Sequence, residues 1–449
     1  MLGKSVFVFR RDLRLDDNLG LIEAMAASQK VYPVFVLDPQ LLERWHKAEK
    51  RLAFLAQALE RLDKSLRKLK SKLIVLEGDP VCVLSRFIGS HSIDGMFINR
   101  DYTPVARRRD ARLKMLCQEK QVRFFSYGDQ LLNEPELVSK LDGLPYTVFT
   151  PYFRKAREFR VEEPVEFSGF SLEYLDEGVS LTSNSLTRCL KRGVGVTQDS
   201  RAVGLDHIEK LAEYDSSKDI PGIQGTARLS SLLRFGLLSV RQVYQSVSEA
   251  HSISHGLIRQ LYWRDFYFQI GYHFPHVYWS SFREKYRELT WDENPKGFRR
   301  WQEGKTGFPI VDAGMRELLA TGFMHNRVRM LTASFLTKNL HVDWRRGEAH
   351  FAEHLVDYDP ALNNGNWQWS ASTGCDAQPY FRVFNPWRQQ KRFDPECAYI
   401  KRWISEFRDS SAKEIHALEK NNEGYLPKIV NLTASAAESK ARFKEARTG

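Results

Sequence analysis

Residues 357–369 read DYDPALNNGNWQW, and the composition of this stretch is unusual. Its thirteen residues include two carboxylates, three Asn and two Trp. A core helix would not favour so many amides, and an exposed loop would not favour two indoles. Such a mixture is typical of a buried or half-buried polar pocket, because each buried amide and carboxylate needs a partner. Taken alone, the stretch is better explained as a loop that two Trp side chains anchor.

The stretch belongs to a longer ordered pattern. HNRVRMLTASFLTKNLHVDW precedes it at 325–344, and SASTGCDAQPYFRVFNP follows it at 370–386. Together these segments resemble the flavin-binding region of the photolyase/cryptochrome family. The string FRRDLRLDDN at 9–18 resembles the opening motif of the same family. The resemblance extends from residue 9 to about residue 429 and is densest over 226–386.

Length, charge and cysteine usage limit the classes of protein. A chain of 449 residues with 42% hydrophobic residues predicts a soluble globular protein of two or three domains. It shows no apolar run of membrane-spanning length, and residues 1–5 lead into a predicted strand rather than a signal peptide. The five Cys form no CxxC pair, so we expect no zinc site, no disulfide framework and a reducing compartment. The net charge of +11 permits a polyanionic partner but also fits an ordinary basic protein.

The first part of the chain alternates short apolar runs with helical patterns. Strand–helix alternation of this kind predicts an α/β domain with a parallel, doubly wound, Rossmann-like sheet over residues 1–130. No GxGxxG follows the first strand, so an ordinary dinucleotide site is not supported. The apolar runs that predict buried strands lie at 5–9, 31–37, 73–76, 95–98 and 122–125.

Charged segments follow two of these strands, at 10–18 and at 99–104. They predict either solvated salt-bridge networks or the wall of a ligand crevice, because ligands of open α/β sheets bind at the carboxyl ends of the strands. In some members of the resembled family this domain holds a light-harvesting antenna chromophore. The resemblance therefore implies room for a folate, deazaflavin or flavin antenna and leaves open which of them, if any, this chain binds.

The second part of the chain has a different pattern. Weak periodicity and frequent Glu, Ser, Gly and Pro over 131–200 predict an inter-domain linker. A helical pattern follows, and the resemblance implies an all-α, FAD- and DNA-binding catalytic domain over 201–449. Nine of the ten Trp lie between Trp263 and Trp403, so we expect the functional site in this half.

TARLS at 226–230 precedes an apolar helical segment. Hydroxyls, backbone N–H groups and an Arg at a helix start form an anion cradle, although Ser and Thr also cap ordinary helices. The resemblance assigns the FAD pyrophosphate to this segment, that is to Thr226, Ala227, Arg228, Leu229 and Ser230. It assigns further FAD contacts to Tyr214, Arg264, Asn326, Arg329, Asp357, Tyr358, Asp359 and Asn363. Arg329 and Asp357 form a natural charge pair, because burying either one alone would be costly.

Three positions bear on the reaction type. Asn363 matches the residue that faces flavin N5, and an Asn there favours repair, whereas plant cryptochromes tend to have Asp. Gln260 stands where thymine-dimer photolyases usually carry Glu; Gln donates a hydrogen bond but supplies no proton, and it is more usual in the (6-4) photolyase and animal cryptochrome branch. Asn326 and Met330 follow the thymine-dimer pattern, since (6-4) photolyases have His at both positions.

The resemblance also implies an electron relay and a DNA surface. Trp291, Trp344 and Trp367 match the relay tryptophans of the family, with core packing as the alternative for each. Trp263 and Trp369 would be the aromatic walls of the lesion pocket. The implied substrate and DNA contacts are Gln260, Trp263, Asn326, Arg327, Met330, Trp369, Arg382 and Gln389, with Lys391 near the same rim.

Taken together, the resemblance implies a carbon–carbon lyase. It would split cyclobutane pyrimidine dimers in ultraviolet-damaged DNA by electron transfer from photoexcited reduced FAD, with the dimer flipped out of the duplex. The alternatives are a (6-4) photolyase and a cryptochrome-type blue-light photoreceptor, and the short basic tail argues mildly against the latter. We expect a monomer in the cytoplasm that is associated with the nucleoid when bound to DNA.

Overall fold

The computed structural model describes residues 1–44, 47–167, 204–205, 208–376, 381–421 and 423–448. The chain divides into two compact units, each assembled from several segments. Unit 1 comprises Met1–Pro145, Phe153–Glu209 and Arg228–Tyr272, and unit 2 comprises Tyr146–Tyr152, Lys210–Ala227 and His273–Gly449. The predicted linker lies within the described residues only up to 167, and the domain boundaries at 130 and 200 stay predictions.

A five-stranded parallel sheet lies at the centre of unit 1, with the strand order β3-β2-β1-β4-β5. The prediction of a parallel, doubly wound α/β domain is confirmed. The central strand β1 is an apolar run whose side chains from Val6 to Phe9 are at most 3% exposed, as expected for a strand covered on both faces. The strands are β1 Leu2–Phe9, β2 Ser28–Leu37, β3 Ile74–Glu77, β4 Gly95–Asn99 and β5 Arg123–Tyr127.

Helices make up most of the remaining described chain. Short 3₁₀ segments cover Ile208–Leu211, Pro275–Tyr278, Glu284–Tyr286 and Ser405–Phe407. No helix among the described residues is long and apolar enough to cross a membrane. The α-helices in chain order are α1 Leu19–Ala27, α2 Pro39–Arg44, α3 Glu49–Lys68, α4 Pro80–His91, α5 Pro104–Glu119, α6 Phe149–Ala156, α7 Tyr214–Ser217, α8 Ser230–Phe235, α9 Val240–Ala250, α10 Gly256–His273, α11 Pro295–Gln302, α12 Pro309–Thr321, α13 Asn326–Lys338, α14 Trp344–His354, α15 Pro360–Ala371, α16 Pro386–Phe393, α17 Ala398–Trp403, α18 Ala412–Ala417 and α19 Leu432–Thr448.

Helices α11 to α15 pack around one hydrophobic core in unit 2. Its largest buried side chains include Trp301, Trp344 and Trp367, each at most 2% exposed. Helix α14 lies directly against the indole of Trp367 at Gly347. A Cβ atom at this position would lie 2.2 Å from Trp367 Cη2, so only Gly permits so close an approach.

Residues Pro360–Ala371 form helix α15, and only residues 357–359 of the stretch precede it, which corrects the sequence interpretation. Both the loop explanation and the argument that a core helix would not favour so many amides were wrong. The amides are buried with partners: Asn364 Nδ2 donates to the Val277 carbonyl at 2.8 Å, and Gln368 Nε2 donates to the same carbonyl at 2.9 Å. Gln368 Oε1 accepts from the Phe282 N–H at 2.8 Å. The desolvation cost that would exclude these amides from a core is therefore offset by hydrogen bonds.

Candidate functional site

The predicted site residues are divided between the two units, and each group is described within its own unit. Unit 2 contains the whole of the stretch 357–369 and most of the predicted flavin contacts. Unit 1 contains Arg228, Leu229, Ser230, Gln260, Trp263 and Arg264, and unit 2 contains Tyr214, Thr226, Ala227, Trp291, Asn326, Arg327, Arg329, Met330, Trp344, Asp357, Tyr358, Asp359, Asn363, Trp367, Trp369, Arg382, Gln389 and Lys391.

Arg329 and Asp357 form the predicted charge pair. Arg329 Nη2 lies 2.9 Å from Asp357 Oδ2, and Arg329 Nε donates to the Met324 carbonyl at 2.7 Å. The Asp357 side chain is only 5% exposed. Its second oxygen, Oδ1, is buried and has no hydrogen-bond partner among the described residues. A buried acceptor of this kind fits an N–H donor of a bound flavin ring, because leaving it unsatisfied is costly.

Asn363 is held by a residue that the sequence analysis did not single out. Asn363 Nδ2 donates to Glu348 Oε1 at 2.8 Å and to the Glu348 carbonyl at 3.1 Å. Both amide hydrogens are thereby engaged, so Oδ1 is left to accept a hydrogen bond. This orientation is what an acceptor for flavin N5–H requires.

Glu348 owes its position to helix α14. The buried residues Trp344, Gly347 and Phe351 form one stripe of that helix, and Glu348 lies within it. Burial raises the pKa of Glu348, while hydrogen bonds from Asn363 and Tyr358 lower it to a smaller extent. A carboxylate inside an apolar helical stripe was the signal in the sequence that could have identified this residue.

Asp359 caps a helix, a role that comes in addition to its predicted contact with FAD. It is the N-cap of α15, and its Oδ1 accepts from the N–H groups of Ala361 at 2.9 Å and Leu362 at 3.3 Å. Its side chain is buried, with 3% of the residue exposed. The contact of Asp359 with FAD stays a prediction.

The three predicted relay tryptophans belong to the core of unit 2. Trp344 and Trp367 are buried, and Trp291 packs partly buried against the same core. A further indole lies beside them: the rings of Trp301 and Trp367 are 6.1 Å apart between centroids and are arranged edge to face. Trp301 Nε1 donates to the Thr332 carbonyl at 3.1 Å, which fixes its ring. Electron transfer along this set stays a prediction.

Asn326 and Met330, which are predicted to discriminate between substrates, lie in the first turns of α13. Asn326 is exposed, and its Nδ2 lies 3.8 Å from Met330 Sδ, so the two side chains are neighbours. Arg327 is paired with Asp219 at 2.8 Å, and its guanidinium lies over the Phe393 ring at 4.4 Å. The predicted phosphate-binding cation is therefore held in place by an acid and an aromatic ring.

The remaining residues predicted to contact DNA from unit 2 are accessible to different degrees. Arg382 is exposed, while Trp369 and Gln389 are half-buried. The Arg382 guanidinium lies 5.4 Å from the centroid of the Phe384 ring. Lys391 is exposed and forms an ion pair with Glu419.

In unit 1, helix α10 carries three of the predicted residues. Gln260 is exposed and Trp263 is half-buried, whereas Arg264 is buried and donates to the Gln130 carbonyl. The predicted apolar helix after the TARLS segment is confirmed as α8, and Arg228 just before it has a φ of +48°. The binding of a pyrophosphate there stays a prediction.

The charged segment after β1 is not a solvated network in the structure. Arg14 pairs with Asp129 at 2.8 Å, and Arg241 pairs with Asp17 and Asp129 at 3.0 Å each. All four side chains are at most 7% exposed. This part of the segment therefore forms a buried network of ion pairs within unit 1, in which each of the four charges is paired.

The first two arginines of that segment contact acidic residues that follow β4, one in the loop after the strand and one in α5. Arg10 pairs with Asp110 at 2.5 Å, and Arg11 lies 3.4 Å from Asp101. Burial alone would raise the pKa of Asp101, but Arg11 and Arg109 outweigh it and lower the pKa to about 2. Nη2 of Arg10 is buried without a hydrogen-bond partner among the described residues, whereas Nη2 of Arg109 is 3.0 Å from Asp110 Oδ1. The Arg10 donor fits an anionic group bound at the carboxyl edge of the sheet.

Comparison with known proteins places the chain in a family. Residues 5–167 match the DNA photolyase family, and residues 257–445 match the FAD binding domain of DNA photolyase. A deoxyribodipyrimidine photo-lyase from Synechococcus is 35% identical, and the match covers 99% of this chain and 97% of that protein. The chain therefore belongs to the photolyase/cryptochrome family.

Solved structures agree with this assignment. The archaeal photolyase from Sulfolobus tokodaii, described with two FAD molecules, is 38% identical with a TM-score of 0.88, and the alignment covers 98% of this chain and all of that one. The cryptochrome of Synechocystis is 26% identical with a TM-score of 0.87, over 98% and 99% of the two chains. Photolyases and a cryptochrome thus share this fold, so the fold alone does not separate them.

Proposed function

We propose that this chain splits cyclobutane pyrimidine dimers in ultraviolet-damaged DNA with light, and that FAD is its electron donor. Its family membership and its near full-length similarity to a deoxyribodipyrimidine photo-lyase support the proposal. The observation that carries it is the orientation of Asn363 by Glu348, at a position where photoreceptors of the plant type have Asp. An uncharged acceptor there suits a flavin that stays reduced between turnovers.

The protein's contribution is to position groups and to set their charges. Bound FAD supplies the absorption of light and the transferred electron. Asp357 Oδ1 would accept an N–H of the flavin ring, and Arg329 balances the buried carboxylate. Asn363 would accept from N5–H, because Glu348 holds its amide nitrogen.

The residues proposed to contact the dimer are uncharged in each unit. In unit 2, Met330 and Asn326 are neighbours and suit contact with a dimer. In unit 1, the exposed Gln260 offers a hydrogen-bond donor where a Glu would offer a proton. Gln260 is the one feature that favours the (6-4) photolyase alternative. Flipping a damaged base pair costs less than flipping an intact one, which contributes to selectivity.

Cationic side chains dock the phosphate backbone. Arg327 exchanges Asp219 for a phosphate, and the exposed Arg382 adds a second contact. Binding through such contacts weakens as salt rises, because bound counterions are released. We place this activity in the cytoplasm, at the nucleoid when DNA is bound, and in a monomer.

An antenna at the sheet edge of unit 1 completes the proposal. The buried Nη2 of Arg10, which has no hydrogen-bond partner among the described residues, supports an anionic ligand there. The relative from Sulfolobus tokodaii is described with two FAD molecules, so a second flavin is the ligand to test first.

The decisive experiment is a repair assay. The protein with reduced flavin is illuminated with blue light in the presence of oligonucleotides that carry either a thymine dimer or a (6-4) product, and the products are separated by chromatography. We expect light-dependent repair of the thymine dimer alone. Repair of only the (6-4) product would favour that alternative, and photoreduction without repair would favour the photoreceptor.

A matched pair of variants isolates the key residue. Asn363→Leu removes the amide that Glu348 holds, and it is expected to abolish repair. Asn366→Leu removes an exposed Asn one turn further along the same helix, whose Nδ2 donates only to the Leu362 carbonyl at 2.8 Å. Repair by Asn366→Leu is expected to equal that of the unmodified protein.

A further inference from the structure

Three potential metal ligands converge on the last turn of α14. His350, Glu353 and His354 each place one ligand atom within 4.8 Å of the others. The His350 and His354 rings are 4.5 Å apart between centroids, at 65° to each other. The spacing His-x-x-Glu-His puts all three side chains on one helical face, with the two imidazoles one turn apart.

The burial of the three residues is graded. His350 is 5% exposed and lies 5.5 Å from the Trp301 ring, whereas Glu353 and His354 are half-buried. The cluster thus has an anchored inner ligand and an accessible outer side through which an ion can enter. Metal–ligand bonds are about 2.0–2.2 Å, so side-chain rotations of about 1 Å would bring the three atoms to bonding distance.

Gln302 supports the inner ligand from the neighbouring helix. Its amide group lies 3.1 Å from His350 Nδ1. A metal-bound imidazole commonly donates its other N–H to an oxygen, and a Gln amide offers one when its oxygen and nitrogen are interchanged by rotation. This contact would leave Nε2 of His350 to bind the ion.

A second candidate cluster among the described residues does not have this character. Asp292, His341 and Glu438 also converge, but Arg442 pairs with Asp292 at 2.7 Å and with Glu438. A guanidinium bound to both carboxylates occupies the ligand atoms and repels a cation. That cluster is an ion-pair network that holds α19 against the segment containing Asp292.

We infer that His350, Glu353 and His354 form a binding site for a divalent transition-metal ion of the zinc type. Two imidazoles and one carboxylate are the ligands that such ions prefer, and three protein ligands leave a coordination position for water. The absence of Cys pairs led to the prediction of no metal, but imidazole and carboxylate ligands need no Cys. The bound ion would clamp the end of the helix that carries Trp344, Gly347 and Glu348.

Isothermal titration calorimetry with zinc chloride tests the inference. The FAD-loaded, tag-free chain is first treated with a chelator and transferred to a phosphate-free buffer. We expect one zinc ion per chain, and we expect His354→Ala and Glu353→Gln each to weaken binding at least about tenfold. Both variants alter half-buried positions, so they test the site without removing the core residue His350.

A second histidine pair provides the matched control. His251 and His255 are also one turn apart, with stacked rings 4.6 Å between centroids, and no carboxylate completes a ligand set with them among the described residues. His255→Ala is expected to leave the affinity and stoichiometry unchanged. Gln302→Leu is expected to weaken binding about tenfold without changing the stoichiometry.

Thermal unfolding gives an independent readout. An ion that binds only the folded chain raises Tm, so zinc is expected to raise Tm of the unmodified protein but not of His354→Ala. Absence of zinc binding by the unmodified protein would overturn the inference. Equal affinity in His354→Ala and the unmodified protein, or loss of binding in His255→Ala, would overturn it as well.

Discussion

Arg329 Nη2 lies 2.9 Å from Asp357 Oδ2, and this contact joins helix α13 to the turn before α15. Asp357→Asn removes the negative charge and leaves a guanidinium that is 24% exposed without its partner. We expect a loss of about 1–3 kcal/mol in the free energy of unfolding, together with weaker retention of FAD. Denaturant titration and the flavin-to-protein absorbance ratio measure the two effects.

The control for Asp357→Asn is a substitution in a more exposed ion pair. Arg316 and Glu406 form an ion pair with two contacts, at 2.8 and 3.0 Å, but Glu406 is 47% exposed. Glu406→Gln is expected to change stability by less than about 1 kcal/mol and to leave FAD binding intact. Equal effects of Asp357→Asn and Glu406→Gln would contradict a special role for Asp357.

Glu348 orients Asn363, and its two substitutions are expected to differ. Glu348→Ala releases the Asn363 amide, so we expect the quantum yield of repair to fall about tenfold while DNA affinity is unchanged. Glu348→Gln keeps a carbonyl oxygen at the position of Oε1 and is expected to restore most of the activity. The yield is measured under fixed illumination, and DNA affinity is measured by titration in the dark.

A purely structural role for Glu348 predicts another pattern. Both variants would then lose stability to a similar extent, and activity would follow the amount of folded protein. If Glu348→Gln were as inactive as Glu348→Ala at equal folding, the charge of the carboxylate rather than the hydrogen bond would be the important property. Burial raises the pKa of Glu348, so the protonation state of this group is part of that test.

The sheet was predictable from sequence, and the site was predictable only in part. Buried strands such as β1 and β4 are continuous apolar runs, so local pattern suffices to find them. The helix at Pro360–Ala371 was missed because its stability depends on a distant partner. Asn364 and Gln368 donate to the carbonyl of Val277, and Asn364 is 87 residues away from it along the chain. No local rule contains that contact.

The ligand cluster on α14 was missed for a different reason. Its His-x-x-Glu-His spacing is visible in the sequence, but the prediction of no metal depended only on the absence of Cys pairs. The Arg329–Asp357 pair, in contrast, was predicted because burying either charge alone would be costly. Glu348 stands out in the sequence only as a carboxylate inside the apolar stripe of α14, and its contact with Asn363 is apparent only in the structure.

Lys338 is expected to make stability depend on pH. It is 4% exposed, and Nζ donates to Ser372 Oγ at 2.8 Å and to the Arg382 carbonyl at 2.7 Å. Burial, with a smaller contribution from the charge of Arg382, lowers its pKa to about 7. The unfolded chain has a Lys pKa of about 10.4, so it binds the proton more tightly than the folded chain does.

The direction of the effect follows from linkage. Between about pH 7 and 10.4 the unfolded state holds more protons, so the free energy of unfolding rises with pH by up to about 1.4 kcal/mol per unit. Lys338→Met is expected to flatten this dependence, and Lys391→Met, an exposed residue of α16, is expected to leave it unchanged. Denaturant titrations at several pH values measure the slope. A slope that persists in Lys338→Met would assign the titration to another group.

Gln260 gives the last prediction. It is exposed on α10, and its amide donates a hydrogen bond but no proton. Gln260→Glu introduces a group that can share a proton with the substrate as negative charge develops, so the quantum yield for the thymine dimer is expected to rise. DNA affinity is expected to fall slightly, because the new charge repels phosphate.

The added charge is controlled by Gln118→Glu, an exposed position on α5 outside the predicted site. This variant is expected to repeat any general effect of one more carboxylate and to leave the quantum yield unchanged. Both variants are compared with the unmodified protein on the same dimer substrate across the range from pH 6 to 8. The protonated fraction of a carboxyl group is largest at the lowest pH. A quantum yield that rises only for Gln260→Glu, and most strongly at pH 6, would therefore identify proton donation as the missing contribution. An equal or lower yield would mean that hydrogen bonding by the Gln amide already provides the stabilisation that the substrate needs.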